Sequence, residues 1–220
     1  MVPRVAVIDY GIGNIGSIVA AWRRQPVDLL VWAPGDGARA LDRVRRDPPR
    51  LLVLPGVGSM AHAAEALEAE GYWEVVLEAR ARAVPLFGVC LGMQLLFESG
   101  EEGGHGFGFL AGDVPELQAP RLPHMGWNQV RFRPDSPLGA GLGEAPWFYF
   151  VHSYRVRPRD PAVIAGETIY GEVFPSALAL PPLLFAAQFH PELSGVNGHR
   201  LLANVLAAAT GDQEAGPWQG

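Results

Sequence analysis

The chain of 220 residues contains no lysine, so all 17 of its basic side chains are arginines. Schiff-base catalysis and lysine–phosphate pairing therefore lie outside its chemistry. A single cysteine, Cys90, excludes an intramolecular disulfide and a cysteine-rich zinc site. One thiol in a chain of this kind suits a reducing, cytoplasmic setting. No stretch approaches the roughly 18 consecutive apolar residues of a membrane span, and Met1 to Asp9 has no signal-peptide layout. A net charge of −6 and a pI of about 5.5 argue against a basic nucleic-acid face. No G-x-x-x-x-G-K-[ST] loop occurs, and Gly11-Ile12-Gly13 lacks the third glycine of a dinucleotide fingerprint. Neither a cofactor nor a metal is expected.

With 49% apolar residues and a mean hydropathy of +0.11, the chain can bury a sizeable core. In the first half, short apolar runs alternate with helical patterns. Strands are predicted at 5–8, 27–32, 51–54 and 84–89, and helices at 14–24, 38–46, 60–82 with a break at Gly71, and 91–98. Strand, turn and helix in repetition predict a three-layer α/β fold, a largely parallel central sheet with helices on both faces. A Gly- and acid-rich loop follows at 100–108. Beyond it, β-like runs at 129–133, 147–157, 163–168 and 184–189, punctuated by Pro and Gly, predict an antiparallel or mixed C-terminal extension of that sheet. A helix at 198–209 closes the fold. Residues 1–210 are expected to form one domain, and 211–220 a flexible tail.

The strongest local signal is Gly88-Val89-Cys90-Leu91-Gly92-Met93-Gln94. A strand runs into a cysteine, a helix starts at once, and glycines stand two residues to either side. This is the layout of a nucleophile elbow, whose neighbours must be small to let backbones approach. At such a turn the helix N-terminus favours thiolate, and the Leu91 N–H points to where a tetrahedral oxyanion would form. The competing reading is a buried structural cysteine. Among six histidines, His190 stands out: in Gln188-Phe189-His190-Pro191-Glu192 it falls at the end of an apolar strand, the usual catalytic edge. Glu192 can turn back to orient its ring, completing a Cys90–His190–Glu192 triad. Pro55-Gly56-Val57-Gly58 follows another buried strand, and the Val57 N–H can supply a second oxyanion donor after a peptide reorientation.

Together the elbow and Gln188-Phe189-His190-Pro191-Glu192 resemble the class I (triad) glutamine amidotransferases. Asp9-Tyr10-Gly11-Ile12-Gly13-Asn14, the Pro-Gly-Val-Gly loop, His124-Met125-Gly126-Trp127-Asn128 and Tyr149-Phe150-Val151-His152-Ser153-Tyr154 narrow the likeness to the glutaminase subunits of imidazole glycerol phosphate synthases, over residues 4–209. The resemblance implies that Gln94 holds the glutamine substrate, with Gly58, Ser153 and Tyr154 around its α-groups. It also implies that Asn14, Trp127 and Tyr149 face a separate (β/α)8-barrel cyclase in a heterodimer. Ammonia released at Cys90 would pass to that cyclase, which makes imidazole glycerol phosphate and aminoimidazole carboxamide ribotide.

Trp127 and Tyr149 read equally well as core aromatics, and His124 and His152 as structural residues. One departure stands out: the family commonly has lysine after His-Pro-Glu, and here the residue is Leu193. Three competing readings are an anthranilate, aminodeoxychorismate or pyridoxal phosphate synthase glutaminase, a stand-alone cysteine hydrolase, and a silent binding subunit that keeps the elbow as a fold element.

Overall fold

The β-branched and leucine-rich runs that read as buried strands all line up side by side in the computed structural model, which describes residues 2–211. The strands are β1 (Arg4–Ile8), β2 (Asp28–Trp32), β3 (Leu51–Leu54), β4 (Leu86–Val89), β5 (Ser99–Gly100), β6 (Gly112–Val114), β7 (His124–Gln129), β8 (Arg131–Phe132), β9 (Trp147–His152), β10 (Arg157–Pro158), β11 (Ile164–Tyr170), β12 (Glu172–Leu180) and β13 (Leu184–Ala187). Eight of them form the central sheet in the order β2-β1-β3-β4-β13-β12-β11-β8. The first five run parallel, and β12, β11 and β8 are added antiparallel. This is the three-layer α/β fold with a mixed extension that the sequence pattern predicts.

Alternation within each strand separates the two faces. Ala6 and Ile8 of β1, with Leu52 and Leu54 of β3, pack against α2 (Gly37–Arg46), α3 (Met60–Ala69) and α4 (Tyr72–Ala81). Val5, Val7, Leu51 and Val53 pack instead against α1 (Ile15–Trp22) and α6 (Gly195–Thr210). Asn14 caps α1, its side-chain oxygen accepting the Ser17 N–H at 3.4 Å. The break between α3 and α4 falls at Gly71, which adopts a φ of +73° that other residues rarely take.

Three expectations need correction. The helix predicted at 91–98 is one turn, α5 (Leu91–Gln94). Leu95, Leu96 and Phe97 are buried all round, and their carbonyls accept N–H groups of Phe107, Leu110 and Gly108 rather than of a next helical turn. The run 147–157 is split between β9 and β10, which lie in different sheets. β7 and β9 form their own two-stranded ribbon, and β10, β6 and β5 a small third sheet, so the second half is only partly an extension of the central sheet. Finally, the nine-residue β12 carries no strand prediction, because Gly171 and Pro175 read as punctuation; Pro175 sits beside an irregularity in the β11–β12 register. Apart from Gly211, the predicted tail lies outside the described residues.

Candidate active site

Strand β4 ends in the middle of the sheet, and Cys90 follows it directly. Its backbone has φ +54° and ψ −110°, a conformation hard-sphere contacts exclude for most side chains. The turn is held by Cys90 N–H on the Ala187 carbonyl (2.7 Å) and by Met93 N–H on the Cys90 carbonyl (2.9 Å). A side chain on Gly88 would strike the Gly92 carbonyl, and one on Gly92 would overlap the Leu54 carbonyl. The two glycines flanking the elbow are thus needed for backbone to pass backbone. Because α5 is a single turn, its macrodipole is a smaller influence on the thiol than the sequence pattern implied.

His190 ends the run after β13, and its imidazole Nδ1 lies 2.8 Å from Glu192 Oε1, with both side chains buried. The loop is pinned to β9: His190 N–H donates to the Tyr149 carbonyl, while Ser194 Oγ donates to the His190 carbonyl and accepts the Tyr149 N–H. His190 Nε2 is buried without a hydrogen-bond partner, the free nitrogen a proton-transfer group needs. Burial pulls this imidazole down, but the nearby Cys90 and the Glu192 carboxylate more than reverse that, and its pKa is pushed up to about 10. That balance favours the imidazolium form of His190. The sulfur itself lies 3.9 Å from the Val151 carbonyl of β9 and 3.7 Å from Gln188 Nε2.

Gln94, on α5, donates through Nε2 to the Tyr154 carbonyl (3.2 Å) and to Gln188 Oε1 (3.1 Å). Gln188 is fully buried and links Gln94 to the sulfur. Sequence reasoning gives Gln188 no role; a polar residue two steps before His190 in an apolar strand is the available signal. Ser153, whose carbonyl accepts the Leu117 N–H, and Tyr154 are half-buried at the end of β9. Gly58 is exposed at φ +92°.

The two N–H groups expected to hold an oxyanion are not free together. Leu91 N–H donates to the Gly56 carbonyl at 3.3 Å, so that carbonyl occupies the place an oxyanion would take. Val57 is exposed and its N–H makes no hydrogen bond among the described residues. Behind the loop, the buried Tyr10 hydroxyl donates to the Pro55 carbonyl at 3.0 Å, and a side chain on Gly56 would collide with that hydroxyl. Tyr10 likewise has no role that its sequence context assigns.

Above the thiol lies the β7–β9 ribbon. Its inner face carries His124, Phe148, Phe150 and His152, all buried, while Met125, Trp127 and Trp147 point outward, each at least half exposed. Trp127 pairs with Tyr149 across the strands, ring centroids 6.1 Å apart. Leu193 is exposed on the neighbouring turn, and Asn14 is exposed at the start of α1. Trp127 is therefore a surface residue, and the core alternative is set aside for it.

A family model for class I glutamine amidotransferases matches residues 6–209. The chain belongs to the class I glutamine amidotransferases. Among curated relatives, imidazole glycerol phosphate synthase subunit HisH of Moorella thermoacetica is 42% identical over 205 residues, 91% of this chain and 92% of that one. The protein of the same name in Methanopyrus kandleri is also 42% identical, over 94% and 99% of the two chains. A putative GMP synthase subunit from Thermoplasma acidophilum shares the fold, with a TM-score of 0.68 at 18% identity over 96% of each chain. A glutamine amidotransferase from Thermotoga maritima does so at 0.62 and 15%, over 92% of this chain and 81% of that one. For an amidotransferase, the strained cysteine, the histidine with one free nitrogen and the carboxylate behind it are chemically suited to the nucleophile, acid–base and orienting roles that amide transfer calls for.

Among the described residues no helix is long and apolar enough to cross a membrane, and no cluster of side chains is arranged to hold a metal ion.

Proposed function

We propose that the chain, acting as one domain over residues 1–210, is the glutaminase subunit of an imidazole glycerol phosphate synthase and works in the cytoplasm with a (β/α)8-barrel cyclase. The observation that carries the chemistry is His190, bound to Glu192 at 2.8 Å through Nδ1 and unpartnered at Nε2 beside Cys90. The Cys90 sulfur attacks the δ-carbonyl carbon of glutamine, and the carbonyl π-pair moves onto oxygen. The oxyanion is held by the N–H groups of Leu91 and Val57 once the Gly56–Val57 peptide has turned over. As the oxyanion collapses, the C–N bond breaks and the imidazolium of His190 gives its proton to the departing nitrogen, releasing ammonia. His190, now neutral, takes a proton from water, whose oxygen attacks the γ-glutamyl thioester; glutamate leaves and Cys90 is restored. Glu192 keeps the ring in one tautomer throughout. Gln94, Gly58, Ser153 and Tyr154 line the place of the substrate.

The partner assignment is supported by relatives that bear that enzyme's name and by the exposed aromatic face directly over the thiol. Asn14, Trp127 and Tyr149 meet the cyclase there. Leu193 offers an apolar contact where a lysine would offer a charge. Co-purification with a barrel cyclase, followed by ammonia release from glutamine, tests the reading. Cys90→Ala should abolish that release while the complex still uses added ammonia. Undiminished release by Cys90→Ala would overturn the nucleophile assignment.

A further inference from the structure

Strands β7 and β9 place His124 and His152 opposite each other on the buried face of the ribbon. The two rings are joined, His124 Nδ1 to His152 Nε2, at 3.0 Å. At the inner end His152 Nδ1 lies 2.8 Å from the Tyr154 carbonyl, the same oxygen that accepts from Gln94. At the outer end Asn128 Nδ2 meets His124 Nε2 at 3.2 Å and the Ile169 carbonyl at 3.0 Å.

The two carbonyls force the direction of every bond between them, since a carbonyl only accepts. His152 must carry its proton on Nδ1, so its Nε2 accepts from His124 Nδ1–H. His124 Nε2 must then accept from Asn128, whose amide nitrogen is fixed by Ile169. The direction continues past Tyr154: both Gln94 amide protons are used, on Tyr154 and on Gln188 Oε1, and Gln188 Nε2 faces the Cys90 sulfur. Gln94 Oε1 is left without a hydrogen-bond partner among the described residues. Two buried histidines packed among Phe150, Tyr170 and Phe174 need partners, but packing alone does not require a one-way chain ending on a carbonyl shared with Gln94.

We infer that Asn128, His124 and His152 form a positioning relay that fixes the Tyr154 carbonyl and, through it, the orientation of the Gln94 amide, so that its oxygen receives the α-ammonium of glutamine. The inference rests on the glutaminase reading. None of the three touches the reacting atoms; they act through Tyr154 and Gln94. An extra proton on either ring would set donor against donor, and burial does lower both imidazoles, His124 to about 4 and His152 to about 3. The outer end of the relay begins one residue from Trp127.

Long-range proton–nitrogen correlation spectra of the full chain at pH 7 should show both rings neutral with the proton on Nδ1. An imidazolium, or the other tautomer, at either ring would overturn the relay. In the complex with the cyclase, His124→Phe keeps the stack between Phe150 and Tyr170 but loses the donor. It should raise the KM for glutamine about tenfold, the effect of one hydrogen bond of ordinary net strength, with kcat within about threefold. His124→Asn, whose amide nitrogen falls near the lost Nδ1, should recover most of the change. An active His124→Phe complex with unchanged KM would sink the relay. If instead the unsubstituted complex hydrolyses no glutamine, the glutaminase reading itself fails. Should His124→Phe not fold, the tautomers in the unsubstituted chain still decide.

Discussion

Replacing Val57 by proline removes one N–H from the loop beside the elbow and is the sharpest probe of the oxyanion assignment. Val57 is 36% exposed and its N–H makes no hydrogen bond among the described residues, so the substitution orphans no partner. The remaining cost to stability is set by whether the backbone at 57 suits proline's φ of about −65°. The catalytic cost is different. An oxyanion donor is worth about 10²–10³ in kcat, or ~2.7–4 kcal/mol, because it acts where charge develops. Val57→Pro should therefore lower the cyclase-stimulated kcat by about that factor. Val57→Ala, which loses the side chain and keeps the N–H, should stay within about threefold of the unsubstituted chain. Ammonia release from glutamine measured on the purified complex reads both variants, and thermal unfolding confirms that both fold. If Val57→Pro turned over glutamine as fast as Val57→Ala, the Val57 N–H would have no part in the oxyanion hole.

Two further outcomes follow from the ribbon. His124 and His152 are held neutral by burial, with folded pKa values of about 4 and about 3 against 6.5 unfolded. Below pH 6.5 the unfolded chain binds protons that the folded one refuses, so their contribution is complete above about 6.5 and is lost as pH falls towards 4. By pH 5 each costs about 2 kcal/mol. Urea unfolding at pH 7 and pH 5 should show that loss, and His124→Phe should lose less by about one histidine's share; equal losses would contradict the assignment. Trp127→Ala, at a half-exposed outward position, should leave the unfolding temperature unchanged and weaken cyclase binding by at least about 2 kcal/mol, some thirtyfold in Kd. Titration calorimetry showing unaltered affinity would place the interface elsewhere.

The central sheet was legible because parallel strands covered on both faces must be apolar on both, and Val5–Ile8 and Leu51–Leu54 announce themselves. The elbow was legible for a similar reason: Gly88 and Gly92 stand where any side chain would strike backbone. What escaped has a common cause. Leu95–Phe97 carries no polar face, so periodicity cannot tell a helix from a buried segment, and the choice fell to carbonyls claimed by a loop 11 to 14 residues further on. Strand β12 was hidden by Pro175, whose place beside an irregular register exists only in the folded pairing. Gln188 and Tyr10 act on partners 98 and 45 residues away, and no local pattern encodes such a distance.

The two halves of the site differ in readiness. On the proposed mechanism the nucleophile and base half is complete: Cys90 is held at φ +54°, and His190 is fixed by Glu192 on one side and by β9 through Ser194 on the other. On the oxyanion side a single peptide is turned the wrong way, its Gly56 carbonyl on the Leu91 N–H, while Tyr10 holds the preceding carbonyl in place. That division confines the rearrangement to one peptide unit. Breaking one neutral hydrogen bond of 3.3 Å has a net cost of about 0.5–1.5 kcal/mol, whereas the donors it releases are worth several times as much in the transition state. A partner that binds the turned-over state only modestly better than the resting one can therefore switch the enzyme on.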